Sequence, residues 1–100
     1  MKVRWTASAE FDLFDVLRYV AAERPASARK LLAAIDKALA RVARFPESGR
    51  PVPEAGIPTW TEARQREVIV RPYRVGYTLA AGELCVLYVI HGARRFPPLR

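Results

Sequence analysis

Three features of this sequence could do chemistry or hold a charged partner: its single histidine, a set of dispersed carboxylates and a large excess of arginine. His91 closes an apolar run and is followed by Gly92, Ala93 and the adjacent pair Arg94 and Arg95. A histidine beside arginines suits general-acid catalysis with a cationic clamp on a developing oxyanion. It equally suits recognition of an anion, or the solvated end of a strand. A metal site is not expected, because one histidine, one cysteine inside an apolar run and scattered carboxylates supply no ligand set. Ser48 precedes Gly49 without a strand-to-helix turn around it, so it does not read as a nucleophile. No glycine-rich phosphate loop is present, and no cofactor is expected.

The charge balance points outward from the chain. Seventeen basic residues against ten acidic ones give a formal charge of +7, and all but Lys2, Lys30 and Lys37 of the basic residues are arginine. Arginine's planar fork binds carboxylate or phosphate through two bonds at once, so an acidic partner is expected. Cys85 has no intramolecular disulfide partner and reads as a small core residue. Glu10, Asp12 and Asp15 interrupt the apolar residues near the N-terminus, and no run approaches the roughly eighteen apolar residues that span a bilayer. The expected location is the cytoplasm, with no membrane partner. At 100 residues the chain suits one domain over residues 1–100.

The elements that must position these groups follow from periodicity. Residues 2–6 alternate, with Val3 and Trp5 on one face, as in a half-buried strand. Ala9, Leu13, Val16, Leu17 and Val20 then recur at helical spacing, with Ser8 as the expected N-cap and an end near Arg24. Pro25 opens a second helix whose inward stripe is Ala28, Leu32, Ile35, Leu39 and Val42, ended by Phe45-Pro46. The two helices should form an antiparallel hairpin. Residues 46–60 hold four prolines and two glycines, which predicts a loop anchored by Trp60. Residues 65–70, 73–80 and 84–91 read as three strands, the last apolar on both faces and so internal, with Ala81-Gly82-Glu83 as a hairpin turn. The order is βααβββ, which predicts an α+β fold of two layers: one antiparallel-rich sheet with a helical hairpin packed on one face.

These residues also carry a resemblance. W-T-x-x-A at Trp5 to Ala9, Asp12-Leu13, Tyr19-Val20, Pro25 to Ala28, F-P-x-S-G-R at Phe45 to Arg50, R-P-Y-R-V-x-Y at Arg71 to Tyr77 and V-I-H-G-A-R at Val89 to Arg94 occur in order. The set resembles the ParE branch of the ParE/RelE toxin superfamily, over residues 3 to about 97. The resemblance implies a RelE/ParE-like fold and the toxin half of a type II toxin–antitoxin module, of the kind found as plasmid stabilisation proteins. It also implies a ParD-like antitoxin as partner, DNA gyrase as target and no direct small-molecule substrate.

Within the superfamily, RelE-like members cut messenger RNA on the ribosome, whereas ParE-like members poison gyrase with no known chemistry of their own. Carried over residue by residue, the RelE arginines match Arg74 and Arg94. The two RelE lysines fall on Glu67 and Ile69, and its C-terminal tyrosine falls near Arg100, so three of the five groups are absent. A YoeB-like variant would pair Glu67 with His91. The expected reading is therefore a non-enzymatic toxin, with a ribosome-dependent endoribonuclease using Arg74, Arg94, Glu67 and His91 as the alternative. Candidate antitoxin or target contacts are Arg50, Arg71, Arg74, Arg94 and Arg95, with Phe11, Phe14 and Leu31 off the main helix stripes lining a groove. For Arg50 the competing reading is a helix C-terminal residue that satisfies exposed carbonyls. For Arg74 it is a cross-strand pair with Glu67.

Overall fold

The computed structural model describes residues 1–52 and 65–92. A five-stranded sheet is formed by β1 (Lys2–Trp5), β2 (Arg50–Pro51), β3 (Arg66–Val70), β4 (Tyr73–Ala80) and β5 (Glu83–His91), in the spatial order β1-β5-β4-β3-β2. β1 runs parallel to β5 and the other pairs are antiparallel. β5 is internal, as its apolar run requires: Leu84, Cys85 and Val86 are buried in succession, so both of its faces are covered there. Ala81 and Gly82 both adopt positive φ, 51° and 74°, the conformation of a two-residue type I′ hairpin. Glu83, expected in the turn, already pairs with Ala80 as the first residue of β5.

Two helices pack on one face of the sheet. α1 spans Ala7–Glu23 and α2 spans Pro25–Arg44, separated by Arg24 alone. The N-cap of α1 is Thr6 and not Ser8: its Oγ1 accepts from the Ala9 N–H at 3.2 Å. Thr6 also donates from its backbone N and its Oγ1 to the Val86 carbonyl. The same residue thus ends β1 against β5 and starts the helix, which leaves Ser8 inside the first turn.

Ala9, Ile35, Leu39 and Val42 meet Val68, Val70, Tyr73, Val75, Tyr77, Leu84, Val86 and Val89 in one core. The α2 stripe departs from expectation at one place. Leu31 packs against this core, whereas Leu32 is 37% exposed. At about 100° per residue the two leucines flank the Ala28–Ile35–Leu39–Val42 arc at equal angles on opposite sides. Periodicity cannot rank them, and only Leu31's flank is covered.

Residues 46–51, within the expected loop, are regular. Pro46–Ser48 makes one 3-10 turn, and Arg50–Pro51 forms the short edge strand opposite Glu67 and Arg66. Proline is tolerated there because an edge strand needs no donor on its outer side. The observed order is the expected βααβββ with this one added strand. Trp60 lies outside the described residues.

Candidate functional site

The helix-free face of the sheet is organised around Glu67, which is only 2% exposed. Pairing register places Arg50, Glu67, Gly76 and Tyr88 side by side on β2, β3, β4 and β5. Arg50 donates to Glu67 Oε1 from Nη2 at 3.0 Å and from Nε at 3.3 Å. Arg74 Nε donates to Oε2 at 3.1 Å, and Tyr88 Oη donates to the same oxygen at 2.6 Å. One buried carboxylate is therefore held by two guanidinium groups and a phenol, which meets the need of a buried charge for both a counter-ion and hydrogen bonds.

Gly76 makes the Tyr88 contact possible. A methyl group at this position would overlap the Tyr88 ring, so only glycine leaves room for the ring to pass from β5 over β4 to Glu67. Burial, and secondarily the hydrogen bond and charge of Glu67, push the Tyr88 hydroxyl far above the ordinary value of 10.0. Tyr88 remains a donor across the physiological range.

A second clamp fixes the segment that delivers Arg50. Tyr77 Oη donates to the Pro46 carbonyl at 2.8 Å and accepts the Gly49 N–H at 3.1 Å. A side chain on Gly49 would collide with that hydroxyl. Arg66 Nη1 donates to the carbonyls of Gly49 at 2.7 Å and Glu47 at 3.2 Å. Arg50 directs Nε and Nη2 to Glu67 and not to the carbonyls at the end of α2. Burial also raises the Tyr77 hydroxyl, opposed by its Gly49 bond.

His91 lies elsewhere. It pairs with Tyr73 across β4 and β5, and the two rings meet edge to face at 5.6 Å between centroids. Tyr73 belongs to the core on the helix-covered face, whereas Glu67 alternates with the core residue Val68 and points to the other face. The sheet therefore separates Glu67 from His91, and the acid–base pair offered by the sequence is not assembled. A groove of about 400 Å³ runs past His91, lined by Asp12, Asp15, Val16, Tyr19, Tyr73, Val89, Ile90 and His91. Asp12 has a structural task there. β1 ends at Trp5 opposite Val86, and the Asp12 carboxylate accepts the Val89 N–H at 3.1 Å, just beyond the point where strand pairing stops.

The remaining candidates divide by position. Arg71 is exposed in the turn between β3 and β4, and that turn is tied to the end of β5 by the Gly92 N–H to Pro72 carbonyl bond at 2.7 Å. Phe11 and Phe14 stand 72% and 66% exposed on α1. Leu31 does not join them, being packed against the core. Arg94 and Arg95 lie outside the described residues. Arg66, Gly76, Tyr77 and Tyr88 were not anticipated as site-building residues; only the isolated glycine inside a strand pattern gave a signal, that of a close approach. Among the described residues no three His, Cys, Asp or Glu side chains cluster to hold a metal, and no helix is long and apolar enough to cross a membrane.

Comparison with known families decides the affiliation. The model of the ParE toxin of type II toxin–antitoxin systems, parDE, matches residues 3–96. This chain belongs to the ParE toxin family. A solved structure described as the chromosomal ParDE TA system from P. aeruginosa has the same fold as this ParE-family chain. The TM-score is 0.70 at 19% sequence identity, covering 91% of this chain and 95% of that one. No curated protein shows significant sequence similarity to this ParE-family chain.

Proposed function

We propose that this toxin acts as a single domain in the cytoplasm, poisons DNA gyrase by binding and without chemistry of its own, and is neutralised by a ParD-like antitoxin. The observation that carries the reading is the use made of the sheet arginines. Messenger-RNA cleavage of the RelE-like kind needs convergent cations or a base and an acid around the phosphate. Here Arg50 and Arg74 are directed at Glu67, and the lysine positions are held by Glu67 and Ile69. Losing two charge-assisted contacts to a phosphorane, each worth about 3 kcal/mol, would slow such a reaction by about ten-thousandfold. The separation of Glu67 from His91 by the sheet argues in the same direction against an acid–base pair. Antitoxin binding is assigned to the exposed aromatic face of α1 at Phe11 and Phe14, and to Arg71, Arg94 and Arg95 for the acidic segment of the partner.

Purified toxin is tested against gyrase with relaxed plasmid, and separately against translating ribosomes with a reporter message. The expected result is loss of supercoiling or accumulation of cleaved DNA, with the message intact. Message cleavage that Arg94→Ala abolishes would overturn the reading in favour of the endoribonuclease. Phe11→Ala with Phe14→Ala should weaken antitoxin binding at least tenfold while leaving the melting temperature unchanged.

A further inference from the structure

We propose that the outer face of α2 binds the phosphate backbone of double-stranded DNA. The helix carries Arg29, Lys30, Lys37, Arg41 and Arg44 against a single acid, Asp36, and so holds four of the chain's seven net positive charges. All five basic residues are exposed, and none makes an ion pair among the described residues. At about 100° per residue, Lys30, Lys37, Arg41 and Arg44 fall within an arc of roughly 60° on the side opposite the Ile35–Leu39 core stripe. From Lys30 to Arg44 the stripe runs about 21 Å along the helix. The helix dipole accounts for Arg41 and Arg44 in the last turn, but it gives no reason for Lys30 or Lys37.

What lies between the cations selects the partner. Ala26, Ala33, Ala34 and Ala40 are the exposed helix residues beside them, and the one large apolar side chain at the stripe's end, the exposed Phe45, lies under Arg44 with the guanidinium 5.5 Å from the ring centroid. A protein partner or an amphipathic membrane contact draws its affinity from several aromatic and aliphatic anchors, and this face offers only the ring under Arg44. Single-stranded nucleic acid needs a row of stacking aromatics, and the stripe has one ring, Phe45, already covered by Arg44. Alanines cannot read a ribose 2′-hydroxyl, so nothing here favours RNA. A rigid, straight row of charge with methyl groups between is suited to a duplex backbone, which presents one negative charge per about 1.7 Å of axis and is bound through charge alone. The stripe is on α2 and the aromatic residues assigned to the antitoxin are on α1, and the proposal does not rest on gyrase as the target.

The test is fluorescence anisotropy of the full chain with a labelled DNA duplex of unrelated sequence, between about 50 and 200 mM salt. Four phosphate contacts give a log–log salt slope of about −3.6, so affinity should fall about a hundredfold over this range. Lys37→Gln with Arg41→Gln should remove about 1.8 from the slope, leaving a roughly tenfold fall, and Lys30→Gln with Arg44→Gln should do the same. Lys2→Gln with Arg18→Gln, an equal charge change on β1 and α1, should leave the slope as it was. The proposal is overturned if the stripe variants and this control behave alike. It is also overturned if an RNA duplex or a poly-glutamate peptide of equal charge binds more tightly than the DNA and the stripe variants leave DNA binding unchanged. Melting curves establish that each variant is folded; glutamine is a good helix former at exposed positions.

Discussion

Replacing Glu67 by glutamine keeps the shape of the side chain and one acceptor oxygen but removes the only negative charge between two guanidinium groups. Arg74 is the partner that suffers. Its side chain is 12% exposed, against 56% for Arg50, so water can replace the lost carboxylate at Arg50 and cannot readily do so at Arg74. Breaking a buried pair while leaving its partner charged costs about 3–5 kcal/mol, and the retained acceptor puts Glu67→Gln near 3 kcal/mol. Total stability for a domain of this size is about 5–15 kcal/mol, so the loss is a large share, equivalent to roughly 10–20 °C in melting temperature. Arg50→Gln, at a half-exposed site, should cost under about 1 kcal/mol. Urea unfolding of Glu67→Gln, Arg74→Gln and the double variant closes a thermodynamic cycle, with an expected coupling of at least about 1.5 kcal/mol. Removing both charges with Glu67→Met and Arg74→Met should cost less than Glu67→Gln alone. A coupling below about 0.5 kcal/mol, or equal losses for Glu67→Gln and Arg50→Gln, would refute the claim that this carboxylate holds the sheet face together.

Stability should fall on the alkaline side. Tyr88 and Tyr77 are raised above the ordinary value of 10.0. Below that pH both folded and unfolded chains keep these protons and the stability is complete; above it the unfolded chain releases protons that the folded chain retains. Each tyrosine then subtracts about 1.4 kcal/mol per pH unit until its folded pKa is passed, and Tyr88→Phe should remove one share of the slope in melts taken across that range. Gly76→Ala should displace the Tyr88 ring from Glu67 and cost about 2–3 kcal/mol in urea unfolding. In a Tyr88→Ala background the same change should cost under about 1 kcal/mol, because the colliding ring is gone. Ala81→Gly should raise stability by about 0.5–1 kcal/mol in a thermal melt, since φ of 51° strains an L-residue and not glycine.

Features that depend on spacing within one element were legible in the sequence. The inward positions Ala28, Ile35, Leu39 and Val42, and the internal character of β5, follow from side-chain period alone. Features that depend on two elements were not. Thr6 takes the cap because it is pinned to Val86 on a strand eighty residues away in sequence. Leu31 and Leu32 are distinguished only by what covers each flank. The Arg74–Glu67 pair could be weighed from sequence, as neighbouring strands make it reachable, yet the full row from Arg50 to Tyr88 could not. Its register is set by a bulge at Gly76 and Tyr77, where β5 spends one extra residue, so that Tyr88 and not Leu87 stands opposite Gly76. The same dependence on register hid the fact that Glu67 and His91 point to opposite faces.

Register also changes what the net charge means. Read from composition, +7 favours an acidic partner without saying which arginines meet it. In the fold, Arg4 pairs with Glu83, Arg18 with Asp15, and Arg50 and Arg74 with Glu67, while Arg66 is occupied by backbone carbonyls. Of the arginines singled out in the sequence, the two on sheet strands, Arg50 and Arg74, are committed internally. The described cations without an acidic partner are Lys2, Arg24, Arg66, Arg71 and the five of α2, of which Arg44 lies over the Phe45 ring, so more than half of them sit on one helix. Charge of that kind is not required to hold the sheet together, and α2 would pack against the core equally well with neutral residues on its outer arc, because its burial rests on Ala28, Ile35, Leu39 and Val42. Arginine and lysine that neither stabilise a helix terminus nor neutralise an acid repel one another at low ionic strength, and a partner carrying phosphates relieves that repulsion. The two sets of cations therefore answer to different perturbations: loss of Glu67 acts on folding, and neutralising the α2 stripe acts on the salt dependence of binding with the fold intact.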